Sequence, residues 1–395
     1  MTADTYAVVA RLGGDEFLAE AFGRNYRMVR GDAAAVADLL AWDDLNSILG
    51  RNRLEVPRLR LSKDGEMLPQ DAYTVPMVTR RSTVWHRLHP SALHEQLSQG
   101  ATLVIDAFDE LHSGVQRLAS DLESWLRTQV QVNLYASWTG REGFGTHWDD
   151  HDVVVVQIDG SKRWRLYGPT RVAPMHRDVE APEEPPEEPI AEFVLKAGDM
   201  LYLPRGWWHS VSASEGERSL HLTCGLTTMA GADLIIWLSE ILRREHLVRA
   251  DLPRFGTAQE KQTYVDGLRE LVIKELDSGD LVDRYTQNHD ATERIRLRPS
   301  LPFVSGVPAE PDQRVQMLST RHVVSADDDS NVVLTAGGEH WTFAPAARPL
   351  LDRLADGRPH TLADLIDGTD LTLEQAARVV GELVTGQVAA VGSEL

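Results

Sequence analysis

The sequence predicts an α+β chain whose centre is an antiparallel β-sandwich or jelly roll, followed by a helical segment and a unit with the outline of a winged helix. Three observations carry this. Between 130 and 228, six short runs rich in β-branched and aromatic residues are mostly separated by Gly, Pro or Asp, the pattern of many short strands. Between 231 and 300, apolar residues recur at helical spacing opposite charged faces. Beyond 310, a strand pair, three helical stretches and a last apolar run follow one another.

The elements follow in order. "GDAAAVADLLAWDDLNSILG" has helical spacing, with Asp32 as N-cap. "HPSALHEQLSQG" predicts a short helix closed by Gly100, "ATLVIDAF" a buried strand, and "SGVQRLASDLESWLRT" an amphipathic helix opened by Ser113. The strands expected next are "VQVNLYASW", "HDVVVVQIDG", "KRWRLYGP", "EFVLKAGDMLYLP", "WHSVSAS" and "RSLHLTCGLTT". Among them, "HRDVEAPEEPPEEPIAEF" is too rich in Pro and Glu to pack and reads as an exposed loop. "ADLIIWLSEILRREHLVRADL" and "TAQEKQTYVDGLRELVIKELDSGDLVDRYTQ" predict helices. In the last unit, "NVVLTAGGEHWTFAP" is the strand pair, then "ARPLLDRLADG" and "TLADLIDGTDLTLEQAARVVGELVTGQ" are helical and "VAAVG" closes the chain as a strand. No internal repeat is present.

Composition narrows the chemistry. With 395 residues the chain is long enough for two or three domains. Its one cysteine, Cys224, rules out an intrachain disulfide and a thiolate metal cluster, so any metal must be held by His and carboxylate. No apolar run approaches the ~20 residues that span a bilayer. The start, "MTADTYAVVARLGGDEF", lacks a basic region before an apolar one, so the expected location is cytoplasmic. A formal net charge of −20 repels phosphate backbones and favours basic partners, although solubility alone explains it equally well.

The chemistry concentrates in "THWDDHDVVVVQIDG". On a strand His147 and Asp149 share a face and Trp148 points away. A third ligand must come from elsewhere, and His209 in "KAGDMLYLPRGWWHSV" is the best candidate, because Pro204-Arg205-Gly206 bends the chain just before it. Two histidines and one carboxylate leave open positions on an octahedral metal and suit non-haem Fe(II); a catalytic zinc takes the same ligand types. "HWD" alone is weak, since a hydrogen-bonded turn explains it as well. The apolar strand after it, the distal His209 and a lone Lys162 beyond "VVVVQIDGS" strengthen it. His151 lies roughly 13 Å along the strand from His147, too far to share its metal. Asp150, His151 and Asp152 therefore read as supporting groups, His221 as a core histidine, and Trp207 and Trp208 as packing residues.

"VNLYASWTGREGFGTHWDDHDVVVVQIDGSKRWRLYGP" and "LKAGDMLYLPRGWWHSVSASEGERSLHLTCG" resemble the JmjC-type, cupin-like 2-oxoglutarate oxygenases, most closely the ribosomal oxygenase branch. The resemblance rests on the HxD pair, the distal His, the N-x-Y motif and a basic residue fifteen positions after the first ligand. It implies a double-stranded β-helix core. It implies that His147, Asp149 and His209 ligate Fe(II), that Lys162 pairs with the distal carboxylate of 2-oxoglutarate, and that Asn133, Tyr135 and Thr223 line the cosubstrate pocket. The implied reaction consumes 2-oxoglutarate and O2, releases succinate and hydroxylates a protein side chain, Arg or His of a ribosomal protein. The same chemistry on a biosynthetic peptide or small metabolite, and a non-catalytic scaffold, remain the alternatives.

The resulting division is an oxygenase domain with an N-terminal helical elaboration over 1–230, a helical dimerisation domain over 231–305 that would make a homodimer, and a winged-helix-like domain over 306–395. Residues 321–395 have many Asp and Glu, few Arg and no Lys, so this last unit is not expected to bind nucleic acid. A membrane partner is not expected either.

Overall fold

The computed structural model describes residues 7–78, 80–81, 84–139, 144–176, 178, 183–213, 218–327 and 330–393. Arg141, for which the sequence leaves a substrate contact and a surface contact equally open, and part of the Pro/Glu-rich loop fall outside these. The chain divides into two compact units, 1–228 and 229–395.

The first unit begins with helices α1 (Ala7–Leu12) and α2 (Gly14–Glu20), strand β1 (Arg27–Val29) and helix α3 (Trp42–Arg51). Strands β2 (Leu59–Lys63), β3 (Glu66–Met67), β4 (Thr74–Val78) and β5 (Val84–Leu88) precede α4 (Pro90–Ser98), β6 (Thr102–Ile105) and α5 (Ser113–Leu126). The remaining strands are β7 (Val130–Ser137), β8 (Asp152–Pro169), β9 (Ala191–Lys196), β10 (Met200–Leu203), β11 (Trp207–Ala213) and β12 (Ser219–Leu226).

Two local expectations change. Asp32 caps only a short 3-10 turn, its carboxylate accepting from the Ala35 amide at 3.1 Å, and the following helix starts separately at Trp42. Helix α5 is capped by His112, whose Nδ1 accepts from Val115 N–H at 3.4 Å; Ser113 is already helical.

Strand β8 organises the unit. The runs "HDVVVVQIDG" and "KRWRLYGP", expected as two strands, are one strand of 18 residues. Its first half pairs antiparallel with β10 and β12, and its second half with β9 and β11. Gly160 sits between the halves at φ +65°; a Cβ there would lie 1.8 Å from the Arg218 carbonyl oxygen, so only glycine fits. From β8 the larger sheet runs through β12, β7, β6 and β2 to β3 on one side and through β10 to β1 on the other.

The four valines are buried on both faces of the strand. Val154 and Val156 join the main core beneath α5, with Leu118, Leu122, Leu134 and Leu222. Val153 and Val155 face the other way and pack with Trp164, Leu166, Leu195 and Leu203 between the sheets. Two apolar faces are why this strand shows no polar alternation. Each buried valine contributes about 1.5–3 kcal/mol.

The second unit opens with α6 (Gly231–Leu242), α7 (His246–Arg249), α8 (Ala258–Leu276) and α9 (Leu281–Thr292). Leu238, Leu242 and Leu281 form their small core, with Trp237, Leu271 and Val272 against it. Ile235 and Ile236 on α6 remain exposed. Strands β13 (Arg314–Met317), β14 (Val323–Ala326), β15 (Val332–Ala336) and β16 (Glu339–Phe343) follow, then α10 (Arg348–Leu354), β17 (His360–Thr361), α11 (Leu362–Ile366), α12 (Leu373–Thr385) and β18 (Ala389–Val391). Strands β14, β15 and β16 make one sheet; β17, β13 and β18 make another. Leu350, Leu354, Leu365, Val380 and Leu383 of the three helices pack with Val315 and Val391 of the second sheet. Capping boxes at Thr361/Asp364 and Thr372/Gln375 fix the starts of α11 and α12.

Candidate metal centre and cosubstrate pocket

Three segments meet where β8 begins. His147 lies in the loop before β8 and forms an isolated antiparallel bridge with His209 on β11. The Gly206 amide donates to the Asp149 carbonyl at 2.8 Å. Asp152, first residue of β8 and buried, accepts from the Arg205 amide at 3.0 Å and from the Tyr202 hydroxyl. The turn Pro204-Arg205-Gly206 is thereby fastened to the HxD loop at several points. Gly206 has φ +80°, and a Cβ there would meet Pro174 Cδ at 2.6 Å and the Arg171 carbonyl at 2.8 Å.

His147 and Asp149 are therefore not on a continuous strand, as strand alternation predicted. Only His147 is paired, and the chain leaves the sheet before β8 starts at Asp152. The two side chains still converge. His147 Nε2 is 3.9 Å from Asp149 Oδ1, and His209 Nε2 is 3.8 Å from Asp149 Oδ2. One ligand atom from each of the three lies within 4.8 Å of the others.

The imidazoles are oriented by backbone. Nδ1 of His147 donates to the Gly145 carbonyl at 3.1 Å, and Nδ1 of His209 to the Trp207 carbonyl at 3.0 Å. Both Nε2 lone pairs are then directed at Asp149, the tautomer a metal requires. Burial, and then the neighbouring His147, push His209 down to about 4, so it is a neutral donor at ordinary pH. Trp164 of β8 stacks on the His209 ring at 5.6 Å. The side chain of His209 is 5% exposed, whereas those of His147 and Asp149 are 37% and 31% exposed, so the cluster opens on their side. Two imidazoles and one carboxylate, converging with one open side, fit a divalent metal such as Fe(II) with positions left for other ligands.

Further polar residues lie inward of this cluster. Lys162 is 3% exposed on β8, two residues before Trp164 and on the same face. Burial pushes its ammonium down to about 8, and among the described residues no carboxylate offsets that effect. Tyr135 on β7 is half-buried; burial and the charge of Asp149 push its hydroxyl up, so it stays protonated. Asn133 is two residues away on the same face and pairs in register with Thr223 on β12. The Oδ1 of Asn133 also accepts from the Ala107 amide at 3.1 Å, holding a residue with φ +49°. Thr223 is half-buried on the face of β12 that carries His221.

His221 stacks flat on Tyr135, with centroids 4.9 Å apart and planes 3° apart, and sits edge-on to Trp164 at 6.3 Å. It stands among Tyr135, Trp164 and Lys162 and not in the apolar core. The available signal was its two-residue spacing from Thr223. Trp164 drew no attention in the sequence because nothing there indicates which ring covers a ligand.

The other candidates stand apart from the cluster. His151 packs against Gly225, where a Cβ would approach its Cδ2 to 2.9 Å, and its Nδ1 contacts Asp150 at 3.0 Å. Asp150 also meets His176 at 2.8 Å. Trp207 lies in the cluster between the sheets, and Trp208 donates to Thr170 at 2.9 Å.

Comparison with known proteins finds similarity in domain and in fold. Residues 105–234 match the JmjC domain. The chain is 27% identical over 210 residues to the bifunctional lysine-specific demethylase and histidyl-hydroxylase NO66 of Drosophila persimilis, covering 50% of this chain and 28% of that protein. It is 28% identical over 220 residues to ribosomal oxygenase 1 of Gallus gallus, covering 55% of this chain and 35% of that protein. The chain thus spans about a third of the length of these two relatives. The fold is similar to that of Escherichia coli ribosomal oxygenase YcfD, with TM-score 0.62 and 20% identity over 96% of this chain and 98% of that one. A YcfD structure in complex with cobalt and 2-oxoglutarate gives TM-score 0.61 at 20% identity over 97% and 99%.

Proposed function

We propose, for a chain that carries a JmjC domain, an Fe(II)- and 2-oxoglutarate-dependent hydroxylase acting on a protein side chain. The convergence of His147, Asp149 and His209, linked through Trp164 to the strand face on which Lys162 is buried with no carboxylate beside it among the described residues, is the observation that carries it. Fe(II) held there, with 2-oxoglutarate and O2, supplies the oxidising power to insert one oxygen atom into a C–H bond while the oxo acid loses CO2 and becomes succinate.

The chain's own groups have separable tasks. The Gly145 and Trp207 carbonyls hold the two imidazoles with Nε2 towards the metal. Lys162 binds the distal carboxylate of the oxo acid by a charge-assisted contact in a dry site. Tyr135 stays a hydrogen-bond donor beside the oxo acid, and Asn133 and Thr223 line the same face. Trp164 covers His209 and excludes water from the inner side.

The proposed substrate is a basic protein, specifically Arg or His of a ribosomal protein. The names of the relatives, one a histidyl-hydroxylase and one a ribosomal oxygenase, support this, as does a chain with 60 acidic and 40 basic residues. We further propose cytoplasmic action and a homodimer built on residues 231–305, supported by exposed Ile235 and Ile236. Residues 306–395 are assigned as a winged-helix-like module that does not bind nucleic acid. Among the described residues no helix is long and apolar enough to cross a membrane.

The test is incubation with Fe(II), 2-oxoglutarate and a ribosomal protein extract in air. A mass gain of one oxygen atom on a single protein, matched by succinate, is expected. No succinate and no metal binding would overturn the reading, and His147→Ala is the control.

A further inference from the structure

His221 is a buried, titratable group that the mechanism above does not use. It is 5% exposed, and its Nδ1 is buried with no hydrogen-bond partner among the described residues. A buried polar atom left without a partner costs about 1–3 kcal/mol, so its retention calls for a ligand. The ring is not loosely placed. Tyr135 stacks on one face at 4.9 Å, and Trp164 meets it edge-on at 6.3 Å. Trp164 is two residues from Lys162 on the same strand face, so His221 and Lys162 flank the same inner end of the pocket.

We infer that His221 is a second recognition group for the distal carboxylate of the cosubstrate, donating a ring N–H beside the Lys162 ammonium. This rests on the 2-oxoglutarate reading above. A neutral donor suits the position. Burial, and then the positive charge of Lys162, hold the imidazole well below its ordinary range, so it adds a hydrogen bond without a second buried cation. Stacking on Tyr135 ties the ring to a strand that reaches the metal end, so the two ends of the cosubstrate are gripped by one rigid set of side chains. The consequence is selectivity: this chain should distinguish a 2-oxo diacid from a 2-oxo monoacid by two contacts.

The experiment is calorimetric titration of the Mn(II)-loaded protein, which does not turn over, with 2-oxoglutarate and with 2-oxopentanoate. The second acid has the same chain length and ends in a methyl group. His221→Phe keeps the ring and removes the nitrogen; His221→Leu is the alternative should Phe not fold, and His221→Gln restores a donor. The expected result is about a 10- to 100-fold weaker Kd for 2-oxoglutarate in the Phe or Leu variant, unchanged affinity for 2-oxopentanoate, and recovery in Gln. Unchanged binding of 2-oxoglutarate in His221→Phe, or equal loss for both acids, would overturn the assignment while leaving the hydroxylase reading intact. Wild-type protein that binds neither acid would remove both.

Discussion

His147 and His209, 62 residues apart, exchange both backbone hydrogen bonds: His147 N–H donates to the His209 carbonyl at 3.0 Å, and His209 N–H to the His147 carbonyl at 2.8 Å. One residue pair of a β-ladder thus fixes the spacing of two imidazoles whose centroids are 4.4 Å apart. The side-chain cluster inherits its precision from main chain, which no substitution other than proline at either position removes.

His147→Ala and His209→Ala should therefore fold with near-normal far-ultraviolet circular dichroism while losing stoichiometric metal. Succinate formation should fall by at least about 1,000-fold, since the residues act as a unit. Metal content after dialysis and succinate release measure the two effects. A chelator should abolish activity in the wild type, and added Fe(II) should restore it.

Lys162 gives a pH signature. Its ammonium is pushed from an ordinary value of 10.5 down to about 8 by burial. Below pH 8 both folded and unfolded chains carry the proton and the burial penalty is complete. Between about 8 and 10.5 the unfolded chain binds more protons, so stability rises with pH across that window. Lys162→Met should remove this rise and move the urea midpoint upward at pH 7. The same variant should raise the KM for 2-oxoglutarate by at least about 10-fold. Urea titrations at pH 7 and pH 9, with a KM series, check both.

Asp152→Ala leaves the Tyr202 hydroxyl and the Arg205 amide without their buried acceptor. A loss of about 2–4 kcal/mol in stability is expected from two orphaned donors. Metal affinity should also fall, because Gly206 of the same turn holds the Asp149 carbonyl. Denaturant unfolding and metal titration separate the two.

Much of this site was legible in the sequence. The HxD pair, His209 after a Pro-Gly bend, and Lys162 beyond four valines are local signals, and the structure brings His147, Asp149 and His209 together. Less legible was anything set by pairing partners. His147 joins the sheet only through His209, so strand alternation from His147 to Asp149 gave the right convergence for the wrong reason. The two expected strands around Gly160 are one, because a glycine at φ +65° looks like a turn in sequence yet continues the strand here. His221 read as core because its pocket is built from β7 and β8, neither of which is its sequence neighbour. His112, not Ser113, caps α5; histidine is a rare cap, and Ser113 beside it gave a stronger signal.

Gly160→Ala tests the continuity of β8. A methyl group 1.8 Å from the Arg218 carbonyl must displace the strand β12 that follows, and the left-handed backbone is strained as well. A stability loss of about 3 kcal/mol or more is expected, read as the urea midpoint or as insoluble expression.

That continuity also makes β8 a ruler. Asp152 is pinned at one end by the turn that carries His209, and Lys162 stands ten residues along the same strand. The position of the cation is therefore counted in residues, and beyond Gly160 only every second residue faces inward, so the count there moves in steps of about 6.6 Å. Deleting one residue between them would turn Lys162 out of the pocket, not bring it nearer. An oxo acid one carbon longer or shorter falls between graduations, and a chain that evolved to accept it would have to recruit its cation from another strand.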